Sequence, residues 1–180
     1  SIINDRQYKW AINVAKNAKT KWKILLTHKS PYSNGPHHKD SDVKNVGKQI
    51  NDIAYYGGID LVIGGHDHVY VRTPVMTQGY KAKCKKSKIL YKNMSYNLYE
   101  KFLGSIYVVP GTSGVKNYKQ YFPIDFNYDK IIKLDCPVFS TIKTDKNVLY
   151  FDAYCYDIKS KKISRIDNFA LVKNEISLNE

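Results

Sequence analysis

Arginine is scarce in this chain: among 29 basic residues only Arg6, Arg72 and Arg165 are arginines. Surfaces that read bases or clamp phosphates in a bidentate fashion lean on Arg. The formal net charge of +13 invites a nucleic-acid reading, but the scarcity of Arg argues against it, and the charge reads first as a lysine-rich, solvated surface. Lys, Asn, Ile and Tyr are abundant together, as an AT-rich coding sequence would also produce. A general affinity for acidic partners is the alternative. Cysteine is scarce too. Cys84, Cys136 and Cys155 lack any C-x-x-C spacing, which argues against a zinc ribbon or a thioredoxin-type site. Their odd number excludes a full disulfide framework and leaves one bridge open, Cys136 with Cys155. No apolar run approaches the roughly 18 residues of a membrane span. No initiator methionine and no secretory leader are visible. Ser1-Ile2-Ile3-Asn4-Asp5-Arg6-Gln7 reads as the middle of a longer protein, a processed chain or a trimmed one.

What is present suffices for one domain. A chain of 180 residues buries about 70% of its unfolded surface, and 43% hydrophobic with 13% aromatic residues excludes a disordered chain. Apolar positions at three- and four-residue steps (Tyr8, Ala11, Ile12, Ala15, Ala18) predict a helix over 5–19, with Asp5 as its N-cap. Strand 22–27 follows, then a polar loop, 29–41. Ser41 or Asp42 caps a second helix over 42–56 that buries Val43, Val46, Ile50, Ile53 and Ala54, and Gly57-Gly58 ends it. Strand 59–63 completes a strand–helix–strand unit, which implies a parallel pair. Further strands are expected at Val69–Thr73, Tyr107–Val109, Val138–Thr144, Asn147–Asp157 and Ile163–Val172. Asp145-Lys146-Asn147 and Lys159-Ser160-Lys161-Lys162 make hairpin turns, so the last three strands form an antiparallel meander. Residues 79–103, rich in Lys and Tyr, read as a solvated insertion between strands.

All five histidines fall between positions 28 and 68, at places where strands run out into loops. Lys23–His28 is an apolar run ending in a histidine. Leu61-Val62-Ile63-Gly64-Gly65-His66-Asp67-His68 is a second run ending in Gly-His-x-His. His37-His38 lies in the loop between them. Buried parallel strands look like such runs, open α/β sheets gather ligands at the carboxyl ends of their strands, and neutral imidazole is a common metal ligand. His28, His66 and His68 therefore read as metal ligands. Gly64 and Gly65 permit a close backbone approach, and Asp67 is placed to hold an imidazole in one tautomer from behind the metal.

These residues, together with Lys29-Ser30-Pro31-Tyr32 and Val69-Tyr70-Val71-Arg72-Thr73, resemble the second half of calcineurin-like metallophosphoesterases, nearest the purple acid phosphatase branch. Tyr107–Gly114, Phe139–Ile142 and Phe151–Tyr154 resemble that branch's closing strands. The resemblance implies an α/β fold, the C-terminal half of a two-sheet αββα sandwich, with 1–180 forming the C-terminal part of one domain and 79–103 inserted into it. It implies that His28 and His66 bind one ion of a dinuclear Fe, Mn or Zn centre and His68 the other. It also implies that His37 and His38 contact phosphoryl oxygens, His38 protonating the leaving group, while a metal-bound hydroxide attacks a phosphate ester. Export or a cell-surface location goes with the family.

The family's first half supplies Asp-x-Gly/His, Gly-Asp-x-x-Asp/Tyr with a bridging Asp, and Gly-Asn-His-Asp/Glu, and none of these occurs here. Two cations about 3.5 Å apart would repel with little to offset them. The resemblance thus implies a missing N-terminal half, on the same precursor or a second chain, and a chain that is inactive alone. Two other function classes remain: an inactive module of the same fold that binds acidic partners, and a mononuclear zinc protein using His28, His66 and His68.

Overall fold

The computed structural model describes residues 2–100, 102–122, 126–145 and 147–173. The elements run α1 (Asp5–Asn17), β1 (Ile24–Lys29), α2 (Ser41–Gly57), β2 (Leu61–Gly65), β3 (Tyr70–Arg72), β4 (Met76–Thr77), β5 (Tyr80–Lys81), β6 (Lys85–Tyr91), β7 (Met94–Glu100), β8 (Ile106–Pro110), β9 (Lys130–Ile132), β10 (Val138–Asp145), β11 (Val148–Asp157) and β12 (Lys162–Val172). Asn4 rather than Asp5 caps α1, its side chain accepting from the Gln7 amide. Asp40 occupies the N-cap position of α2 without a side-chain capping bond, and Gly58 closes that helix in the left-handed conformation at φ 64°, which costs glycine no Cβ penalty.

Two five-stranded sheets pack face to face, in the orders β1-β2-β8-β3-β9 and β10-β11-β12-β7-β6. In the first, β1, β2 and β8 are parallel, as expected of a strand–helix–strand unit, and β3 pairs antiparallel with both β8 and β9. The meander β10–β11–β12 is antiparallel throughout. Its first turn passes through Lys146, outside the described residues.

Side-chain alternation sorts the residues of β2 and β8 between two cores. Leu61 of β2 and Ile106 and Val108 of β8 point at Leu149, Phe151, Phe169 and Leu171 of the second sheet, where Phe151 and Phe169 stack at 4.9 Å. Val62 and Tyr107, one residue out of phase, meet Val46, Ile50 and Ile53 of α2. Tyr8, Ala11, Ile12 and Ala15 of α1 pack into the same cluster. Among the described residues both α-helices thus lie on the first sheet.

Segment 79–103 is not a solvated loop. Strands β6 and β7 pair antiparallel within it, and β7 joins the second sheet by pairing parallel to β12, with Phe169 opposite Asn97 and Leu171 opposite Tyr99. Lys85, Lys86 and Lys88 project from β6, while Tyr96, Leu98 and Tyr99 of β7 are buried. The lysines dominate the composition and conceal the apolar positions that decide the structure.

Arg72 ties the two sheets together. From β3 its guanidinium donates to both carboxylate oxygens of Asp167 on β12 (2.7 and 3.2 Å) and to the Tyr99 hydroxyl on β7 (2.6 Å). Asp167 also accepts from the Tyr70 hydroxyl at 2.9 Å. Both charged side chains are nearly sealed from solvent, at 3% and 4% exposure. Removing one member of such a pair leaves an uncompensated buried charge, at a cost of about 3–5 kcal/mol. Asp167→Ala should lower the unfolding free energy by that amount in urea titrations. A loss below about 1 kcal/mol would show that the pair behaves as a surface contact.

Candidate metal centre

Parallel pairing brings the two histidine-bearing strands together. Leu25 lies opposite Val62 and Leu26 opposite Ile63, and an irregularity then shifts the register so that Lys29 faces Gly65. His28 therefore lies one residue inside the end of β1, and His66 is the first residue beyond β2. Gly64 allows the close approach: a Cβ there would collide with the side chain of Ser30. His66 itself adopts a left-handed conformation at φ 71°, uncommon for a residue with a Cβ and costing on the order of 1–3 kcal/mol. Its Nδ1 lies 3.1 Å from His28 Nε2.

The loop between β1 and α2 adds a third imidazole. His37 packs against the His66 ring at 4.8 Å between centroids, and its Nδ1 lies 3.0 Å from an Asp40 carboxylate oxygen. Ligand atoms of His37, Asp40 and His66 all fall within 4.8 Å of one another. Burial, reinforced by the neighbouring His37 and His28, holds the His66 imidazole below the ordinary histidine range.

Asp67 organises this loop. Its buried carboxylate accepts from the Ser33 hydroxyl at 2.6 Å and from the His37 backbone amide at 3.1 Å. Gly35 lies so close that a Cβ would strike the Asp67 side chain. The carboxylate thus positions His37 through its main chain rather than through an imidazole nitrogen.

His38 and His68 face elsewhere. His38 Nδ1 donates to the Gly35 carbonyl at 2.5 Å, which leaves Nε2 as its exchanging nitrogen. The residue lines an open cleft of about 390 Å³ that also carries Lys44, Lys48 and Asp52 of α2. His68 Nδ1 donates to the Lys116 carbonyl at 2.6 Å, and its ring stacks on Tyr118 at 4.3 Å, nearly coplanar at 5°. The structure brings His28, His37 and His66 together and leaves His38 and His68 outside that trio.

Sequence reasoning missed Asp40, Tyr118 and the Lys116 carbonyl. Asp40 has no glycine neighbour and stands at no strand end. The other two lie on a loop far along the chain, and only the folded structure shows that Tyr118 bonds back to the His68 carbonyl at 3.0 Å. No local pattern announces that contact.

Because Asp67 is buried with its partners satisfied, removing it strands two donors at a cost of about 1–3 kcal/mol. Asp67→Ala should speed amide exchange at His37 by roughly tenfold or more. Ser33→Ala, which removes one donor and keeps the acceptor, should change it less. Equal effects from the two variants, or none, would contradict the positioning role of Asp67.

Comparison with known proteins adds an independent line. Residues 2–70 match the family model described as calcineurin-like phosphoesterase. Over 82 residues the chain is 30% identical to purple acid phosphatase 18 of Arabidopsis thaliana, covering 43% of this chain and 18% of that protein. The structure superposes on purple acid phosphatase PPD1 from yellow lupin (Lupinus luteus) seeds with a TM-score of 0.70 and 19% identity, covering 97% of this chain and 29% of the lupin chain. The chain spans less than a third of the length of either relative. It therefore resembles the calcineurin-like phosphoesterases through residues 2–70 and carries the purple acid phosphatase fold through nearly its whole length.

Proposed function

We propose that this chain is the C-terminal part of a metal-dependent phosphoesterase, and that its strand-end histidines form one side of a two-metal centre completed by carboxylate and Asn ligands from an N-terminal half. The carrying observation is the 3.1 Å approach of His28 and His66 at the ends of adjacent parallel strands.

The donors on this chain alone do not fit two ions. Asp67, between His66 and His68, is committed to Ser33 and the His37 amide, and Asp40, the carboxylate beside His37 and His66, is not placed between two ions to bridge them. Hydrolysis is accordingly assigned to the complete protein. The edge of the first sheet supports a missing partner: β1 is its outermost strand, and Leu26 on it is 72% exposed. Natural proteins rarely leave an apolar edge strand open.

In the complete protein His28 and His66 would hold one ion and His68 the other through Nε2, its Nδ1 donating to the Lys116 carbonyl as metal-bound imidazoles commonly do. His38, beside Lys44 and Lys48, would bind a phosphoryl oxygen and pass a proton from Nε2 to the leaving group. Export is consistent with the Cys136–Cys155 disulfide, since such bonds persist in oxidising compartments. No helix among the described residues is long and apolar enough to cross a membrane.

The isolated chain should show no turnover of an aryl phosphate above background with Mn, Fe or Zn added. In a molecule carrying the acidic half, His28→Ala and His66→Ala should each reduce both metal content and rate. His38→Ala should lower the rate about 100- to 10,000-fold with metal content unchanged. Turnover on the order of 1–1000 per second by the isolated chain would overturn the division of the site. Loss of metal from His38→Ala would overturn that residue's role.

A further inference from the structure

The hairpin between β6 and β7 carries a motif that the histidine site leaves unused. Asn93-Met94-Ser95 is the one Asn-x-Ser/Thr triplet in the sequence, the acceptor pattern of N-linked glycosylation, with no proline at its middle position. Tyr91 pairs with Met94, which leaves Lys92 and Asn93 as a two-residue loop, and both have positive φ, 48° and 61°. This is the turn whose twist suits a hairpin, and asparagine is among the residues that tolerate it. The turn accounts for Asn93 alone. It makes no demand for a hydroxyl two residues later, where Ser95 lies exposed on β7.

Both Asn93 and Ser95 stand in solvent, and neither side chain has a hydrogen-bond partner among the described residues. The strands beneath hold the tip in place: Tyr91 stacks on Tyr150 of β11 at 4.1 Å, and Tyr96 is fully buried. A glycan is bulky and takes such a surface position. Strand β6 is the outermost of the second sheet, and its Lys86 pairs with Asp129, the residue before β9 at one end of the first sheet. Strand β1 ends the first sheet on the opposite side. A glycan on Asn93 is therefore clear of the β1 edge, where an N-terminal half would join. It stands instead beside an edge strand whose Leu90 is 70% exposed and whose unpaired backbone groups invite association. The Cys136–Cys155 disulfide fits the oxidising compartments of exported proteins, where such glycans are added.

We propose that Asn93 carries an N-linked glycan at the outer edge of the second sheet. The donor is an oligosaccharide carried on a lipid diphosphate. Its anomeric carbon gives up the bond to the diphosphate oxygen and forms one to Asn93 Nδ2. The amide loses one proton, and the lipid diphosphate departs with the bonding pair. This modification requires export, as read above from the disulfide, and is independent of the phosphoesterase chemistry.

The test is peptide mass spectrometry of the protein isolated from its natural source, treated with peptide-N-glycosidase in heavy-oxygen water. An untreated aliquot controls for spontaneous deamidation, and the same digest reports whether Cys136 and Cys155 are joined. The expected result is heavy-oxygen-labelled aspartate at position 93 after treatment only, together with the disulfide-linked peptide. In the full-length protein expressed in the source cells, Ser95→Ala should abolish the label and Ser95→Thr should keep it. Both changes are at an exposed position, and far-ultraviolet dichroism reports whether each variant is folded. An unlabelled Asn93 in molecules with the disulfide intact would overturn the glycan and leave export standing. An unlabelled Asn93 with free thiols at Cys136 and Cys155 would overturn both. Retention of the label in Ser95→Ala would also contradict the motif as its cause.

Discussion

The parallel register of β1 on β2, with Leu25 opposite Val62 and Leu26 opposite Ile63, decides where the histidines can meet. A slip of one residue would turn every side chain of a strand to the other face of the sheet. His28 would then leave His66, and the apolar residues of β1 would exchange faces. The register is specified from the helix side, where Leu25 and Val62 join one cluster with Ile50 and Ile53 of α2. Functional geometry here is a consequence of core packing one turn of chain away.

The second sheet makes that packing rigid. Leu61 and Val108 are fully buried against Leu149, Phe151 and Phe169, and the Arg72–Asp167 pair, with Tyr70 and Tyr99, fixes how the sheets face each other. These groups come from three strands, β3, β7 and β12, so the network is satisfied only in one arrangement. A buried pair contributes less to net stability than to such uniqueness. The guanidinium also lies over the Phe169 ring at 5.0 Å, which keeps its apolar face in contact with the core.

Much of this was legible in the sequence where local pattern and tertiary packing agree. The helical periodicity of α2 and the apolar runs of β2, β8, β11 and β12 place their elements within one or two residues of those observed, because their apolar positions coincide with the buried ones. The hairpin β6–β7 was concealed because the lysines of β6 outweigh Tyr96 and Leu98 of β7 in composition. At the site, the strand ends announced His28 and His66. The partition of the remaining histidines followed from Asp67 holding the His37 amide and from Tyr118 and Lys116 reaching back to His68. These are contacts between distant segments, and residue spacing carries no record of them.

The protein isolated from its natural source, analysed by native mass spectrometry for intact mass and bound metal in one spectrum, tests the central claim most directly. The expected result is a two-metal species heavier than the 20.8 kDa of this chain, either as a longer polypeptide or as a complex with a second one that carries the bridging carboxylate. A 20.8 kDa species holding two ions without any further polypeptide would contradict it.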